Sequence, residues 1–279
     1  MKTITIAPPS PCQSVHIGPG KPLTLIAGPC VIESKTICFE IAQALCDICE
    51  TLGIQYIFKA SFDKANRTSI DSHRGPGLTA GLELLAEIKA HFNVPVITDI
   101  HLPEQAAPTA EVCDILQIPA LLARQTDLIA AAAQTGKTVQ VKKGQFMAPW
   151  DMKNVIDKIE HFNNHNILTV ERGSSFGYNR LVCDMNSIGE MQSLGYPAIM
   201  DATHATQSPS GLGNASGGSP ALAKKLALAA LAVGANGLFI ETHQDPKNAL
   251  SDGACMIPLN EMPNLLKKCV DVYRIAQGK

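Results

Sequence analysis

Short apolar segments with strand character alternate with longer helical segments from about residue 23 to the C-terminus. The strand candidates are short runs bounded by polar or helical segments, at 23–27, 55–58, 94–98, 115–117, 138–141, 167–170, 198–200 and 237–240. Helical periodicity predicts helices at 35–52, 78–92, 127–135, 151–162, 220–233 and 261–276. Eight strands, each followed by a helix or a long loop, predict an α/β fold, the closed parallel (β/α)8 TIM barrel.

The domain organisation follows from the same alternation. A doubly wound sheet would need fewer strands or a second domain, and no linker rich in Pro, Gly or Ser separates one. We therefore expect residues 1–279 to form one barrel domain with an N-terminal extension at 1–22. Within that extension, segments 3–6 and 14–17 flank a Pro-rich turn and predict a small hairpin. From its position in the chain, we expect this hairpin to cover the barrel floor.

Composition and charge exclude several classes of protein. The chain is 46% apolar and 17% charged, with a net charge of −2, and no basic stripe interleaved with aromatic residues indicates a nucleic-acid surface. No apolar run reaches the roughly 18 residues of a membrane span, and the N-terminus lacks the apolar core of a signal peptide. A cytoplasmic location is therefore expected. The nine cysteines are scattered, which favours reduced thiols, and the Cys46-Cys49 pair is interpreted as helix packing.

The densest polar segment, FKASFDKANRTS at 58–69, begins where the second strand ends. It places two lysines, an arginine, an asparagine and three hydroxyl-bearing residues close together. Charge-assisted donors held at a strand end suit a phosphorylated, carboxylated metabolite. The competing interpretation is a solvated basic loop.

Polar and ionisable residues follow one predicted strand after another. They are Cys30, Lys59, Ser61, Lys64, Asp99, His101, Gln117, Arg124, Lys142, Lys143, Arg172, His204, Glu241 and His243. Active sites of (β/α)8 barrels lie at the C-terminal ends of the strands, where these residues fall. Charged side chains are seldom buried there without partners or ligands.

Two groups of residues emerge. The cationic set, suited to a substrate with several negative charges, consists of Lys59, Lys64, Arg124, Lys142 and Arg172. The metal set consists of Cys30, His204, Glu241 and Asp252, whose mixed S, N and O donors favour Zn or Fe over Mg. The four residues of the metal set have no motif spacing. From the residues alone, an ordinary buried thiol and a core histidine stay open as alternatives.

Several motifs, in order along nearly the whole chain, resemble one family. They are FKASFDKANRTS at 58–69, ALLARQTD at 120–127, VKKGQF at 141–146, ERGSSFGY at 171–178, DATH at 201–204 and SGG at 216–218. Together they resemble the 3-deoxy-D-manno-octulosonate 8-phosphate synthases, which join phosphoenolpyruvate to D-arabinose 5-phosphate. The resemblance implies a (β/α)8 barrel, a homotetramer and a place in making the sugar acid of Gram-negative lipopolysaccharide.

The resemblance also implies roles for individual residues. Phosphoenolpyruvate would be bound by Lys59, Ser61, Lys64, Gln117, Lys142 and Arg172, and the sugar phosphate by Asn66, Arg67 and Ser69. Ala120 would line the substrate site, and Arg124 would reach the sugar phosphate of a neighbouring subunit. Lys59, Asp99, Lys142 and His204 would be catalytic, with the two lysines acting as charges. No covalent lysine adduct is required, because C3 of the enol attacks the aldehyde while water adds to C2.

The segment IAGPCVIES at 26–34 is similar to the metal-dependent class of that family, in which a cysteine takes the position that an asparagine holds in the other class. By this resemblance, Cys30, His204, Glu241 and Asp252 bind a divalent Zn, Fe or Mn ion. Two positions depart from the family pattern: Leu121 replaces a common Phe, and His73 replaces a usual aromatic residue. We expect these departures to affect the loop at 68–77 more than activity.

Three alternatives remain. The related 3-deoxy-D-arabino-heptulosonate 7-phosphate synthases use erythrose 4-phosphate and typically have Lys-Pro-Arg-Thr where this chain has Lys64-Ala65-Asn66-Arg67. Asn66 therefore favours the five-carbon sugar. A Schiff-base aldolase on the same barrel would use Lys142. A non-catalytic sugar-phosphate binding protein would bind phosphoenolpyruvate without releasing phosphate.

Overall fold

The predicted parallel strands close into a barrel in the computed structural model of the chain. The structure describes residues 1–209 and 217–278. Ser216, the first residue of the SGG motif, lies outside the described residues.

The eight barrel strands agree with the sequence prediction to within three residues at each end. In chain order they are β1 (Ile4–Ile6), β2 (Val15–Ile17), β3 (Thr24–Gly28), β4 (Gln55–Lys59), β5 (Val96–Asp99), β6 (Ile115–Ile118), β7 (Thr138–Lys142), β8 (Ile167–Glu171), β9 (Ser174–Ser175), β10 (Leu181–Val182), β11 (Ala198–Asp201), β12 (Gly237–His243) and β13 (Ile257–Pro258). Strands β3 to β8, β11 and β12 are parallel neighbours in that order, and the β12–β3 pairing closes the barrel. The (β/α)8 prediction is confirmed.

Helices cover the outside of the barrel. They are α1 (Lys35–Leu52), α2 (Leu78–Phe92), α3 (Ala106–Val112), α4 (Thr126–Gln134), α5 (Met152–Glu160), α6 (Asn186–Ser193), α7 (Pro220–Ala232) and α8 (Met262–Ala276). Helix α1 illustrates why they form: Ser34 caps its N-terminus through the Ile37 N–H, and Gly53 ends it in the left-handed region. None of the described helices has the length and apolar character needed to span a membrane.

The N-terminal hairpin forms as predicted. Strands β1 and β2 pair antiparallel, with Ile4 opposite Ile17, and their apolar side chains are buried. The His16 N–H donates to Gln55 Oε1 at 2.7 Å. Since Gln55 is the first residue of β4, the hairpin lies against the N-terminal end of the barrel, opposite the end where the polar residues collect.

A close approach of two backbones brings the first two barrel strands together near the predicted site. Gly28 ends β3, and a Cβ atom at this position would lie 2.0 Å from the carbonyl oxygen of Lys59. Only glycine permits this approach, because the obstructing atom belongs to the backbone. The contact places Cys30, two residues beyond Gly28, beside the last residue of β4.

Candidate active site

A cavity of about 720 Å³ opens at the C-terminal ends of the barrel strands. Its lining includes most of the residues predicted for the site, namely Lys59, Lys64, Asn66, Arg67, Asp99, His101, Gln117, Ala120, Leu121, Lys142, Arg172, His204 and Asp252. A cavity of this size and position is typical of small-molecule sites on this fold.

The metal set converges beside this cavity. Cys30 follows β3, His204 follows β11, Glu241 lies in β12 and Asp252 lies between β12 and β13. One ligand atom from each of these four residues lies within 4.8 Å of the others. Cys30 Sγ is 3.1 Å from Asp252 Oδ2, and His204 Nε2 is 3.3 Å from Glu241 Oε2.

The polar atoms of this cluster fit a divalent cation. Glu241 Oε2 is buried and has no hydrogen-bond partner among the described residues, which is costly for a carboxylate oxygen. Burial, followed by the nearby Asp252 and Glu241, raises the pKa of the Cys30 thiol well above its usual range. A cation among these groups would satisfy Glu241 Oε2 and favour the thiolate. Thiolate, imidazole and carboxylate together suit Zn or Fe.

The three lysines that line the inner cavity each lie beside a carboxylate. Lys59 Nζ donates to Glu241 Oε1 at 2.7 Å, and Lys64 Nζ lies 3.9 Å from Asp252 Oδ2. Burial is the largest effect on Lys59 and lowers its pKa, but Glu241, Cys30 and Asp99 together outweigh burial and raise the pKa of this lysine. The pKa of Lys64 is raised as well, so the ammonium groups of Lys59 and Lys64 are kept charged although little of either side chain is exposed.

The third lysine, Lys142, belongs to a group at the centre of the barrel mouth. Its Nζ donates to Asp201 Oδ2 at 2.7 Å and lies 3.8 Å from the centroid of the Phe239 ring. His204 Nδ1 lies 3.0 Å from Asp201 Oδ1. Burial lowers the pKa of Lys142 more than the negative charge of Asp201 raises it. Burial also opposes ionisation of Asp201, but His204 and Lys142 together hold its pKa well below the usual range. Asp201 thereby orients both side chains.

Arg172 has donors available for an anion. Its Nη2 donates to Gln207 Oε1 at 2.8 Å, while Nε and Nη1 are buried without a partner among the described residues. Gln207 Nε2 in turn donates to Asp252 Oδ1 at 3.0 Å, which connects Arg172 to the metal set. Burial lowers the pKa of Arg172 more than the charge of Asp201 raises it, and no carboxylate among the described residues forms an ion pair with it. This guanidinium is suited to bind a carboxylate or phosphate.

Two further predicted residues are held by neighbours. Asp99 accepts a hydrogen bond from Ser61 Oγ, and its Oδ2 lies 3.0 Å from His101 Nε2. Ser61 is buried and does not line the cavity, so in this structure it orients Asp99. Gln117 Oε1 accepts from Gln140 Nε2 at 2.8 Å, which leaves the Gln117 amide nitrogen free to face the cavity.

Other predicted residues lie outside the cavity of the single chain. Ser69 and Arg124 do not line it, and Arg124 is exposed on the rim beyond Leu122. Lys143 points away and donates to Ser174 Oγ at 2.9 Å, and His243 Nδ1 accepts from the Asp245 N–H. Of the two departures from the family pattern, Leu121 lines the cavity and His73 is exposed.

The sequence did not single out Asp201, Gln207 or Ser251, although each contacts a predicted site residue. Asp201 ends β11, so its position at a strand end was an available signal. Gln207 and Ser251 lie in loops, where no periodicity indicates which way a side chain points.

Comparison with known proteins gives a matching family and several similar proteins that share one name. Residues 4–277 match the DAHP synthetase I family. A 2-dehydro-3-deoxyphosphooctonate aldolase of Geobacter sp. (strain M21) is 56% identical over 261 residues, covering 94% of this chain and 96% of that protein. Proteins of the same name from Rhizobium meliloti (strain 1021) and Protochlamydia amoebophila (strain UWE25) are 54% and 52% identical, over 92% and 94% of this chain and 91% and 95% of those proteins.

Proposed function

The chain belongs to the DAHP synthetase I family, and from its similarity to 2-dehydro-3-deoxyphosphooctonate aldolases we propose that it works as one of them. It condenses phosphoenolpyruvate with D-arabinose 5-phosphate and water to give 3-deoxy-D-manno-octulosonate 8-phosphate and inorganic phosphate. The observation that carries this proposal is the convergence of Lys59, Lys64, Lys142 and Arg172 on one cavity. Two polyanions repel each other, and fixed cations offset that repulsion while orienting both substrates.

We assign the inner part of the cavity, lined by Lys59, Lys142 and Arg172, to phosphoenolpyruvate. The ammonium groups of Lys59 and Lys142 are nearly fully buried, and Arg172 has two donors without a partner among the described residues. Carboxylate and phosphate oxygens would take these donors, with Lys64 and Gln117 completing the set. Held in this way, C3 of the enol is directed towards the cavity mouth, where the aldehyde enters.

We assign the mouth of the cavity to the sugar phosphate. Asn66 and Arg67 line it on the loop that follows β4, and Ser69 lies further along the same loop. C3 attacks the aldehyde carbon while water adds to C2, and the hemiketal phosphate loses inorganic phosphate by C–O cleavage. Asp99 and the Asp201-linked His204 lie close enough to the lysines to orient water or the aldehyde oxygen.

Cys30, His204, Glu241 and Asp252 would hold one divalent metal ion, Zn, Fe or Mn. When bound, such an ion polarises a carbonyl or a water molecule as a Lewis acid. The support for this assignment is a cluster of four ligand atoms in which the buried Glu241 Oε2 accepts no hydrogen bond from the described residues.

The first test measures phosphoenolpyruvate consumption with arabinose 5-phosphate, before and after a chelator strips metal and Zn, Fe or Mn is added back. We expect activity to be lost and then recovered. Full activity after verified removal of the metal would contradict the metal assignment and leave the substrate assignment unaffected. Consumption only with erythrose 4-phosphate would replace the proposal by the heptulosonate synthase alternative.

One observation favours a second mechanism on the same site. Burial lowers the pKa of Lys142, as a Schiff-base nucleophile requires. The 2.7 Å contact with Asp201 instead favours a charged ammonium that binds an anion. We therefore expect borohydride to trap no lysine adduct in the presence of substrates, as mass spectrometry of the intact chain would show. A trapped adduct on Lys142 would establish the Schiff-base mechanism.

We also propose a homotetramer in the cytoplasm. Nine free cysteines are consistent with a reducing compartment. Large apolar side chains are exposed in the segments that follow β6, β7 and β8, at Leu121, Phe146, Trp150, Phe176 and Tyr178, and Arg124 also follows β6. An exposed apolar patch of this kind supports contact with another subunit, and Arg124 needs such a contact to approach a site.

A further inference from the structure

Ser251 lies between the metal set and the residue assigned to the sugar phosphate. Its Oγ is 3.2 Å from Cys30 Sγ and accepts a hydrogen bond from Arg67 Nη1 at 2.5 Å. The side chain is buried, with 2% of the residue exposed. Neither Ser251 nor Arg67 belongs to the metal set. The Ser251 hydroxyl nevertheless links the Arg67 guanidinium to Cys30 Sγ, which does belong to it.

Arg67 is directed towards this segment by its other contact as well. Its Nη2 donates to the Leu250 carbonyl oxygen at 3.3 Å, and no carboxylate among the described residues pairs with it. Its positive charge is therefore not neutralised locally by an ion pair. Cys30 Sγ, which would carry negative charge with a metal bound, lies on the other side of the Ser251 hydroxyl.

The hydrogen-bonding capacity of serine suits this position. A hydroxyl has one donor and two acceptor sites, and a metal-bound cysteine sulfur is a negatively charged acceptor. Ser251 can donate to Cys30 Sγ while its oxygen accepts from Arg67. Such a chain is charge-assisted at both ends, which strengthens each bond in it. We propose that Arg67 and Ser251 are positioning residues that stabilise the metal site, so that the metal and sugar-phosphate sites are energetically coupled.

The backbone supplies a second reason for this coupling. Asp252, a member of the metal set, follows Ser251 directly and has a φ of +51°, which is uncommon for a residue other than glycine. The next residue, Gly253, approaches the Pro246 carbonyl so closely that a Cβ would lie 2.1 Å from that oxygen. The two hydrogen bonds from Arg67 therefore hold a strained segment in the conformation that presents Asp252.

The inference rests on the proposed metal site, and it is tested without substrate by measuring Zn²⁺ affinity in competition with a chromogenic chelator. Residues that support metal ligands typically contribute roughly 10–100-fold to metal affinity. We expect Arg67→Ala and Ser251→Ala each to weaken Zn²⁺ binding by about tenfold. The double variant should be no weaker than the worse single variant, because both changes break one chain.

Matched variants separate coupling from misfolding. Arg67→Lys keeps a charged donor and should recover part of the lost affinity, whereas Arg67→Gln should not. Arg74→Ala is the control, since Arg74 lies in the same loop and its Nε donates to Asp63 Oδ1 at 2.8 Å. It should leave Zn²⁺ affinity unchanged. A cooperative thermal unfolding transition of each metal-free protein shows that each variant is folded.

Wild-type Zn²⁺ affinity in folded Arg67→Ala or Arg67→Gln would overturn the coupling. Additive losses in the double variant would overturn the route through Ser251. A wild-type protein that binds no Zn²⁺ would overturn both the metal site and the coupling. The phosphoenolpyruvate assay of the wild type decides separately whether the proposed function stands.

Discussion

Among the cavity cations, the guanidinium of Arg172 is bonded differently from the lysines. Lys59, Lys64 and Lys142 have carboxylates beside them, whereas the one side-chain hydrogen bond of Arg172 among the described residues is to the neutral amide of Gln207. A buried cation that forms no ion pair has lost its hydration without a compensating contact. An anionic ligand supplies that contact when it binds. Arg172 is thus the residue at which the loss of phosphoenolpyruvate affinity should be clearest.

Replacing Arg172 with Ala should lower kcat/KM for phosphoenolpyruvate by at least about tenfold, the scale of one charged hydrogen bond. Steady-state kinetics at fixed arabinose 5-phosphate measure this. Arg180→Ala, which removes an exposed arginine, should leave the kinetics unchanged. Wild-type kinetics in Arg172→Ala would remove Arg172 from the site.

A second residue-scale prediction concerns the thiol of Cys30. Because it is the only sulfur in the metal set, Cys30→Ala should abolish stoichiometric metal content, measured by elemental analysis of protein purified without chelator. Cys183→Ala, which removes a half-buried thiol outside the set, should keep the metal. A full metal load in Cys30→Ala would disprove the ligand assignment.

At the scale of elements, the barrel strands were predictable because strands buried on both faces are continuous apolar runs. Two helices were not named from the sequence, α3 and α6. Helix α3 has only seven residues and contains Pro108, and α6 contains Gly189 and several polar residues, so neither has clear periodicity.

The site was predictable from position where residues lie on strand ends, whereas the loop residues Asn66 and Arg67 were assigned through the family resemblance. Parallel strands end at one edge, so Lys59, Lys142 and Glu241 had to be neighbours. The bridging positions of Gln207 and Ser251 depend on loop conformation, including the positive φ of Asp252. No pattern in the sequence encodes that conformation.

The close approach of β3 to β4 gives an element-scale prediction. In Gly28→Ala the new methyl group would meet the Lys59 carbonyl oxygen, a backbone atom that cannot rotate away. We expect a loss of about 1–3 kcal/mol in unfolding free energy, as for other overpacked sites. Activity should fall too, because Lys59 would be displaced from Glu241. Denaturant unfolding and phosphoenolpyruvate kinetics measure the two effects.

Gly189→Ala is the matched control for that experiment. Gly189 is exposed in α6, and a Cβ there would have nothing within 4 Å. Alanine should stabilise the helix by about 0.5–1 kcal/mol and leave activity unchanged. If Gly28→Ala behaved like Gly189→Ala, the strand contact would not position Lys59.

At the scale of the whole molecule, Arg124 tests whether assembly completes the site. It is exposed and outside the cavity of its own chain, and the segments after the next two strands expose Trp150, at 62%, and Tyr178, at 99%. An arginine without access to its own cavity can bind substrate only across a subunit contact.

Arg124→Ala should therefore raise KM for arabinose 5-phosphate by about tenfold, the scale of one charged hydrogen bond, while KM for phosphoenolpyruvate is kept. Analytical ultracentrifugation should show the same oligomer as the wild type. Arg274→Ala, on the last helix, is the control and should change neither quantity. A monomeric wild type with full activity would contradict the tetramer and this role together.

The hairpin at the barrel floor has a consequence for kinetics. With β1 and β2 against one end of the barrel, substrates enter the described cavity from the opposite end. The buried Lys59 and Lys142 lie deep, and Asn66 and Arg67 lie at the mouth. A sugar phosphate bound at the mouth would obstruct the path to the lysines. We therefore expect an ordered sequence, in which the substrate of the inner site binds first and leaves last.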